Sequence, residues 1–281
     1  MNAQTITSTT INNYIAYLKA EEKADATIEK YVRDITAFAK FLDGKAPTKE
    51  LAVEYKKQLL ESNYARRSVN SIIASLNGLF DFLNEHGCKL KTIKIQRQAF
   101  CSEEKELTKA EYTRLIRTAQ QKGNERLNLV IQTICGTGIR VSELQFITVD
   151  AVRKGEATVS LKGKTRTVFI VKDLKKKLLR YIAEQKIKDG AVFITRTGKP
   201  MSHTNIWREM KSLCESAGVN PSKVFPHNLR HLFARTFYGI EKDIAKLADI
   251  LGHSSINTTR IYIITTGDEH RRRMENMRLI I

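Results

Sequence analysis

The first hundred residues carry apolar side chains at the spacing of α-helices. Ile28, Val32, Ile35 and Phe38, for example, recur every three or four positions, which gathers them on one helical face. The same period predicts four helices, over residues 7–20, 25–43, 48–62 and 66–87. Because each helix has one apolar face to bury, this part is predicted to fold as a small all-helical bundle.

The helical period lapses after this bundle and then returns. Residues 89–105 are largely polar and basic and show no sustained period, as is typical of a linker. Thr108 followed by Glu111 forms the pattern of a capping box, which starts a helix. We therefore predict a helical domain over residues 1–88, a linker over 89–105 and a second domain over 106–281.

One region of the second domain changes to the pattern of a β-hairpin. Ala157–Leu161 and Thr165–Val171 are rich in β-branched residues and are separated by Lys162-Gly163-Lys164, which predicts two strands and a turn. A third strand is a candidate over residues 191–195, and further helices are predicted over 203–217, 227–239, 241–250 and 256–264. The predicted fold class is mainly α, with an α+β second domain that holds a small antiparallel β-sheet.

The charge of the chain adds a class of partner to this picture. The 281 residues include 48 Lys and Arg against 30 Asp and Glu, a net charge of +18, and residues 101–281 hold 33 basic and 19 acidic side chains. Such an excess favours a polyanion. Because the sequence shows neither a basic amphipathic helix nor a lipidation signal, nucleic acid is predicted rather than a membrane surface.

The sequence gives no indication of export or membrane insertion. The N-terminus lacks a basic segment followed by an apolar stretch, and no run of about 18 apolar residues is present. The four cysteines lie far apart without a CxxC pair, which predicts reduced thiols rather than disulfides or a zinc site. We expect a cytoplasmic protein, associated with the nucleoid if its partner is DNA.

Candidate chemistry is concentrated in the second domain. His227 and Arg230 lie three residues apart in PHNLRHLFARTF, on one helical face that is suited either to hold a phosphate or to meet solvent. Arg140 follows two glycines in ICGTGIRVSEL. Glu143, three residues later, either orients this arginine or forms an ordinary surface ion pair with it. The lysine of the hairpin turn is Lys162, with Lys164 as its alternative.

Two arginines, two histidines, a lysine and a tyrosine are the groups needed to attack a phosphodiester without a metal ion. Arginines clamp the non-bridging oxygens, a tyrosine oxygen attacks, a histidine takes its proton and a lysine protonates the leaving oxygen. The sequence contains no GxxxxGK[ST] nucleotide cradle and no carboxylate cluster for catalytic metals. No cofactor is therefore expected.

The order and spacing of these groups resemble the tyrosine recombinase (phage integrase) family. The resemblance rests on GTGIRVSEL, HNLRH and LGHSS, and on a tyrosine nine residues after the last histidine. It implies that the catalytic residues are Arg140, Lys162, His227, Arg230, His253 and Tyr262. The sequence departs from many relatives at Leu232 and at Ile264, and neither departure removes a catalytic group.

The N-terminal part resembles the SAM-like, helical core-binding domain of Xer-type recombinases, in ATIEKYVRDITAFAKFL and NSIIASLNGLFDFLNEHG. The resemblance thus covers nearly the whole chain. It implies a two-domain clamp around double-stranded DNA at a specific recombination site. It also implies a homo-tetramer on paired sites, or assembly with a second recombinase, in which segment Asp268–Ile281 docks on a neighbouring subunit rather than on its own core.

The resemblance implies that Tyr262 attacks one strand and forms a 3′-phosphotyrosyl link without metal or ATP. The freed 5′-hydroxyl then attacks the equivalent link on a partner duplex. Arg140 and Arg230 would hold the phosphate, His253 would hydrogen-bond it, and His227 and Lys162 would move protons. The alternatives are a type IB topoisomerase, which uses a similar set of residues, and a DNA-binding regulator that has lost the chemistry.

Overall fold

The computed structural model describes residues 5–95, 106–161, 164–262, 271 and 274–277. The chain divides into two compact units, Met1–Arg97 and Gln98–Ile281. The N-terminal unit has one hydrophobic core, and the second unit has a main core and a smaller cluster beside it. No helix in the described ranges is long and apolar enough to cross a membrane.

The N-terminal unit is the predicted all-helical bundle. Helices α1 to α4 span Ser8–Ala20, Asp25–Leu42, Lys49–Glu61 and Arg66–Phe82. Their apolar faces meet in a core centred on Phe38, whose ring lies 5.1 Å from that of Tyr55 and 6.0 Å from that of Phe80. The helical period of the sequence is therefore confirmed here.

The described part of the predicted linker, residues 89–95, packs on this bundle. The Asn77 side chain bonds both backbone groups of Leu90, at 2.8 and 2.9 Å, and Asn70 bonds Ile93 in the same way, at 2.7 and 2.9 Å. Leu90 is also buried. Two amide side chains therefore extend the N-terminal unit beyond its last helix.

The second unit is also mostly helical. Its helices α5 to α13 span Lys109–Gln121, Glu125–Thr137, Val149–Lys154, Lys172–Glu184, His203–Lys211, Cys214–Ala217, Pro226–Glu241, Ile244–Leu251 and Ile256–Arg260. The predicted capping box is confirmed, because the Thr108 hydroxyl accepts from the Glu111 N–H at 3.1 Å while the Glu111 carboxylate accepts from the Thr108 N–H at 2.8 Å. The helix predicted over 203–217 is divided into α9 and α10.

The predicted β-hairpin is confirmed. Strand β1 (Glu156–Leu161) pairs antiparallel with β2 (Lys164–Phe169), in a register that places Val159 opposite Arg166. The prediction of a third strand was wrong, because residues 191–195 make only isolated bridges. One of these bridges is to Pro200, which has no N–H with which to continue a ladder.

Candidate functional site

Arg140 reaches the site because the chain turns sharply at the end of α6. The helix ends at Thr137, and Gly138 adopts φ +66°. A Cβ atom at Gly138 would lie 2.5 Å from the Phe233 ring, so that both the conformation and the space require glycine. Of the two glycines that precede Arg140 in the sequence, Gly136 lies within α6 and only Gly138 ends it.

Three arginines from three different parts of the chain converge on the C-terminal end of α12. Arg166, Arg230 and Arg140 donate from a terminal nitrogen to successive backbone carbonyls, at 2.8, 2.7 and 3.2 Å respectively. These are the carbonyls of Ile250, Leu251 and Gly252. The last carbonyls of a helix have no partner within it and carry the negative end of its dipole. The end of α12 is therefore a natural acceptor for guanidinium groups.

Glu143 links two of these arginines. Its carboxylate accepts from the Arg140 N–H at 2.9 Å, from Arg140 Nη1 at 2.8 Å and from Arg166 Nη2 at 2.6 Å. Burial raises the pKa of Glu143, but the hydrogen bonds from Arg140 and the charge of Arg166 outweigh burial and hold this pKa below its ordinary value. Because the Glu143 side chain is only 2% exposed, the pair with Arg140 is not an ordinary surface ion pair.

Arg230 is buried in α11 and is bonded to His253. Arg230 Nη1 donates to the Gly138 carbonyl at 2.5 Å, and Nη2 lies 2.9 Å from His253 Nε2. Since a guanidinium can only donate, Nε2 is the acceptor. The proton of His253 then sits on Nδ1, which lies 2.7 Å from the Thr259 hydroxyl.

This environment sets the charge of both groups. Burial and the nearby Arg230 and Arg140 lower the pKa of His253 to about 4. Burial and Arg140 likewise lower the pKa of Arg230 to about 10, while Tyr262 acts in the opposite direction. At pH 7 the imidazole of His253 is therefore neutral and the guanidinium of Arg230 remains charged.

Tyr262 lies among three histidine rings and is only 4% exposed. Its ring centroid is 4.2 Å from that of His231, 5.4 Å from that of His253 and 5.5 Å from that of His227. The His253 ring is nearly parallel to it, with 18° between the planes. Partial desolvation, Arg230 and Arg140 lower the pKa of His227, so neutral imidazole is favoured there too.

His231 is a member of this cluster that is not among the predicted catalytic residues. Burial, His227 and Arg230 lower its pKa to about 4. One signal was available, because His231 lies four residues after His227 and therefore on the same face of α11.

An open cavity of about 790 Å³ adjoins the cluster. It is lined by Arg140, Glu143, Arg166, His253 and Thr258, among others, and also by the carboxylate-bearing Asp249. The Arg140 side chain is 36% exposed and is part of this lining. A guanidinium in such a position is suited to bind a phosphate oxygen. Within the described ranges, no group of three or more His, Cys, Asp or Glu side chains is placed to hold a metal ion.

Comparison with known proteins decides the family. The model of the phage integrase family matches residues 105–267, and that of the phage integrase N-terminal SAM-like domain matches residues 11–87. The chain belongs to the phage integrase family. Tyrosine recombinase XerA of Pyrococcus furiosus is 30% identical over 100% of this chain and 98% of its own length. Tyrosine recombinase XerD of Xanthomonas campestris is 29% identical over 90% and 87%. The chain is thus a site-specific recombinase.

Solved structures share its fold. The crystal structure of XerA recombinase has a TM-score of 0.55 at 23% identity and covers 98% of this chain and 100% of its own. That of XerH recombinase, described as a pre-cleavage complex with its difH substrate, has a TM-score of 0.70 at 19% identity over 96% and 84%. The mainly helical fold with one small antiparallel sheet is therefore that of tyrosine recombinases.

This recombinase places five of its six predicted catalytic residues around one end of α12 and the cavity beside it. They are Arg140, His227, Arg230, His253 and Tyr262. Lys162 lies outside the described residues, as does the side chain of Lys164, so the choice of hairpin lysine stays a prediction. Most of the segment Asp268–Ile281 also lies outside them, although Met274 and Met277 are described and are each 59% exposed.

Proposed function

We propose that this recombinase cuts and rejoins duplex DNA at a specific site through a 3′-phosphotyrosyl intermediate on Tyr262, without metal or ATP. The observation that carries the proposal is that the Tyr262 ring lies beside three neutral imidazoles. Tyr262 is also close enough to Arg230 to raise the pKa of its guanidinium. A phenol beside a base and fixed cations is the arrangement that nucleophilic attack on a phosphodiester requires.

Arg140 and Arg230 hold the scissile phosphate in this proposal and offset the charge that develops in the transition state. The two side chains differ in their exposure to solvent, because Arg140 is 36% exposed whereas Arg230 is 2% exposed. Tyr262 is buried as well. We therefore propose that DNA displaces the Tyr262 ring and opens the Arg230–His253 bond before the phosphate meets both guanidinium groups.

The histidines move protons or donate hydrogen bonds. His227 is neutral at pH 7, which is the form that takes the proton of the Tyr262 hydroxyl. His253 donates to a non-bridging oxygen from Nε2 after Arg230 has left it. The Thr259 hydroxyl, which lies 2.7 Å from Nδ1, then reverses its role and donates to Nδ1, because a hydroxyl both donates and accepts.

The bonds and protons of the step balance. The bond from Tyr262 oxygen to phosphorus forms while the bond from phosphorus to the 5′-oxygen breaks. His227 gains the tyrosine proton and Lys162 gives one to the 5′-oxygen. The free 5′-hydroxyl of a partner strand then reverses the step, so that the phosphodiester energy is conserved.

Double-stranded DNA as the substrate is supported by the charge of +18 and by the XerH relative, whose structure holds its difH substrate. A homo-tetramer on paired sites follows from strand exchange between two duplexes. The exposed Met274 and Met277 supply apolar surface for a neighbouring subunit. Light scattering of the protein bound to paired sites measures this assembly, and a complex of fewer than four chains would contradict it.

The nucleophile is tested with duplexes that the protein enriches from a random pool, nicked so that a cleaved end diffuses away. Wild type should accumulate a covalent protein–DNA adduct, and Tyr262→Phe should form none, because it keeps the ring packing but lacks the oxygen. Tyr238→Phe is the matched control in the same aromatic cluster and should form the adduct at the wild-type rate. An adduct in Tyr262→Phe, or none in wild type, would refute the proposal.

A further inference from the structure

We infer that Arg166 is a positioning residue for DNA cleavage, which from strand β2 holds Glu143 so that Arg140 faces the scissile phosphate. The inference rests on the proposed function and deepens it. The sequence patterns did not single out Arg166, which lies within the second predicted strand, Thr165–Val171.

Arg166 bonds to the protein from both of its terminal nitrogens. Its Nη2 donates to Glu143 Oε2 at 2.6 Å, its Nη1 donates to the Ile250 carbonyl at 2.8 Å, and the side chain is 12% exposed. Each terminal nitrogen thus already has a protein acceptor. Arg166 therefore acts through Glu143, whose other oxygen receives Arg140 Nη1 at 2.8 Å.

Arg166 also sets the charge of this group. One Glu143 carboxylate is shared between the guanidinium groups of Arg166 and Arg140, so the three side chains together carry one positive charge. Without Arg166, Glu143 would neutralise Arg140, and these side chains would no longer carry a surplus positive charge to offset that of the phosphate. A buried carboxylate with only one cation would also be less firmly oriented.

Gly252 leaves the space that Arg166 occupies. A Cβ atom at Gly252 would lie 2.4 Å from Arg166 Cδ and 2.7 Å from its Nε. Arg166 cannot easily yield, since both of its terminal nitrogens are bonded. Gly218 is a matched comparison, because it also caps a helix with positive φ, at +58° against +64°, and a Cβ atom added there would meet no other atom within 4 Å.

The test compares two nicked duplexes, one with the normal scissile phosphate and one with a methylphosphonate in its place. The methyl group removes the negative charge that Arg140 offsets, so a variant that lacks only this function should recover on the methylphosphonate. We expect Arg166→Gln to form the adduct about 100-fold more slowly on phosphate and to regain most of that loss on methylphosphonate. Its Kd for DNA should change less than about threefold.

Two further variants keep the test decisive. Gly252→Ala should reproduce the loss and the recovery by pushing Arg166 aside, whereas Gly218→Ala should cleave like wild type. Arg140→Gln combined with Arg166→Gln should be no slower than Arg140→Gln alone, because residues that act as a unit are not additive.

The outcomes separate this inference from the proposed function. If wild type forms no adduct on normal phosphate, the proposed function fails. If wild type forms it and Arg166→Gln is equally fast, or is slowed equally on both duplexes, only the positioning role is overturned. An equal loss on both duplexes would mark Arg166 as a purely structural residue.

Discussion

Each unit of this recombinase buries a carboxylate among cations, and the two carboxylates have different surroundings. In the N-terminal unit, Asp34 accepts from Lys30 Nζ at 2.6 Å and from the Ser75 hydroxyl at 2.8 Å. In the second unit, Glu143 accepts from Arg140 and Arg166. Both carboxylates are less than a tenth exposed. In the sequence, both are simply acidic residues three or four positions from a basic one.

The two sites differ in the other groups that their cations contact. Lys30 turns back to the Ser71 carbonyl and the Ser75 hydroxyl, so its donors are used within the helical bundle. Arg140 and Arg166 instead line a cavity, and both lie within 2.8 Å of the Glu143 carboxylate. The second cation beside Asp34, Arg33, lies 3.7 Å from it and is 76% exposed. A buried ion pair is therefore weak evidence for a site, whereas a buried carboxylate shared by two arginines beside a cavity marks a candidate site.

Glu143→Gln should have the largest effect on both cleavage and stability. The neutral amide cannot form ion pairs with the two guanidinium groups, so we expect the adduct to form at least about 100-fold more slowly. We also expect the second unit to lose about 3 kcal/mol of stability, because one partner of a buried ion pair has been removed. Single-turnover cleavage and chemical denaturation measure the two effects.

Glu111→Gln is the matched control for this loss. Glu111 is also a largely buried carboxylate of the second unit, bonded to Lys223 at 3.0 Å and to the start of α5, but it does not line the cavity. It should lower stability and leave the cleavage rate per bound complex unchanged. Equal cleavage defects in the two variants would mean that Glu143 contributes only to folding.

Much of the fold followed from the sequence because local rules decide it. The helical period, the capping box at Thr108 and the alternating hairpin are all short-range patterns. The site was accessible to the same reasoning only where residues are close in the chain, as with His227 and Arg230. Arg140 and the hairpin lysine were candidates from their own local patterns, and the family resemblance joined them with His253 and Tyr262 into one site.

Contacts between distant residues were not accessible in this way. Arg166 and Glu143 lie 23 positions apart, and the carbonyls that receive three arginines are backbone groups, which any residue type supplies. The tight packing of the Gly252 Cα against Arg166 likewise leaves no pattern in one sequence. These contacts depend on tertiary packing, which local sequence patterns do not reveal.

Lowering the pH should destabilise the second unit more than the N-terminal unit. The loss of stability should be smaller than that caused by Glu143→Gln. The pKa values of His231 and His253 are about 4 in the folded protein against an ordinary value of 6.5. Between these values the unfolded chain binds protons that the folded chain does not, so stability is present above pH 6.5 and falls as the pH is lowered. From pH 7 to pH 5 we expect the second unit to lose about 5 °C in Tm.

Calorimetry measures this shift, and the N-terminal unit is its internal control. The histidine described in that unit, His86, is exposed, and this window lies above the range in which ordinary carboxylates titrate. Replacement of His231 by Asn should reduce the pH dependence of the second unit. Equal shifts in both units would contradict the burial of neutral imidazole around Tyr262.

Asp34→Asn, the corresponding substitution in the N-terminal unit, should have the smallest effect. Lys30 is 29% exposed and regains water when its partner is neutralised, so the cost to the N-terminal unit should be about 1 kcal/mol. Cleavage by the bound complex should be unchanged, because no charge near the cavity is altered. Denaturation and single-turnover adduct formation on the same duplex give both values. A cleavage defect as large as that of Glu143→Gln would show that the two buried carboxylates are functionally alike, and a carboxylate shared by two arginines beside a cavity would then not be what distinguishes the site.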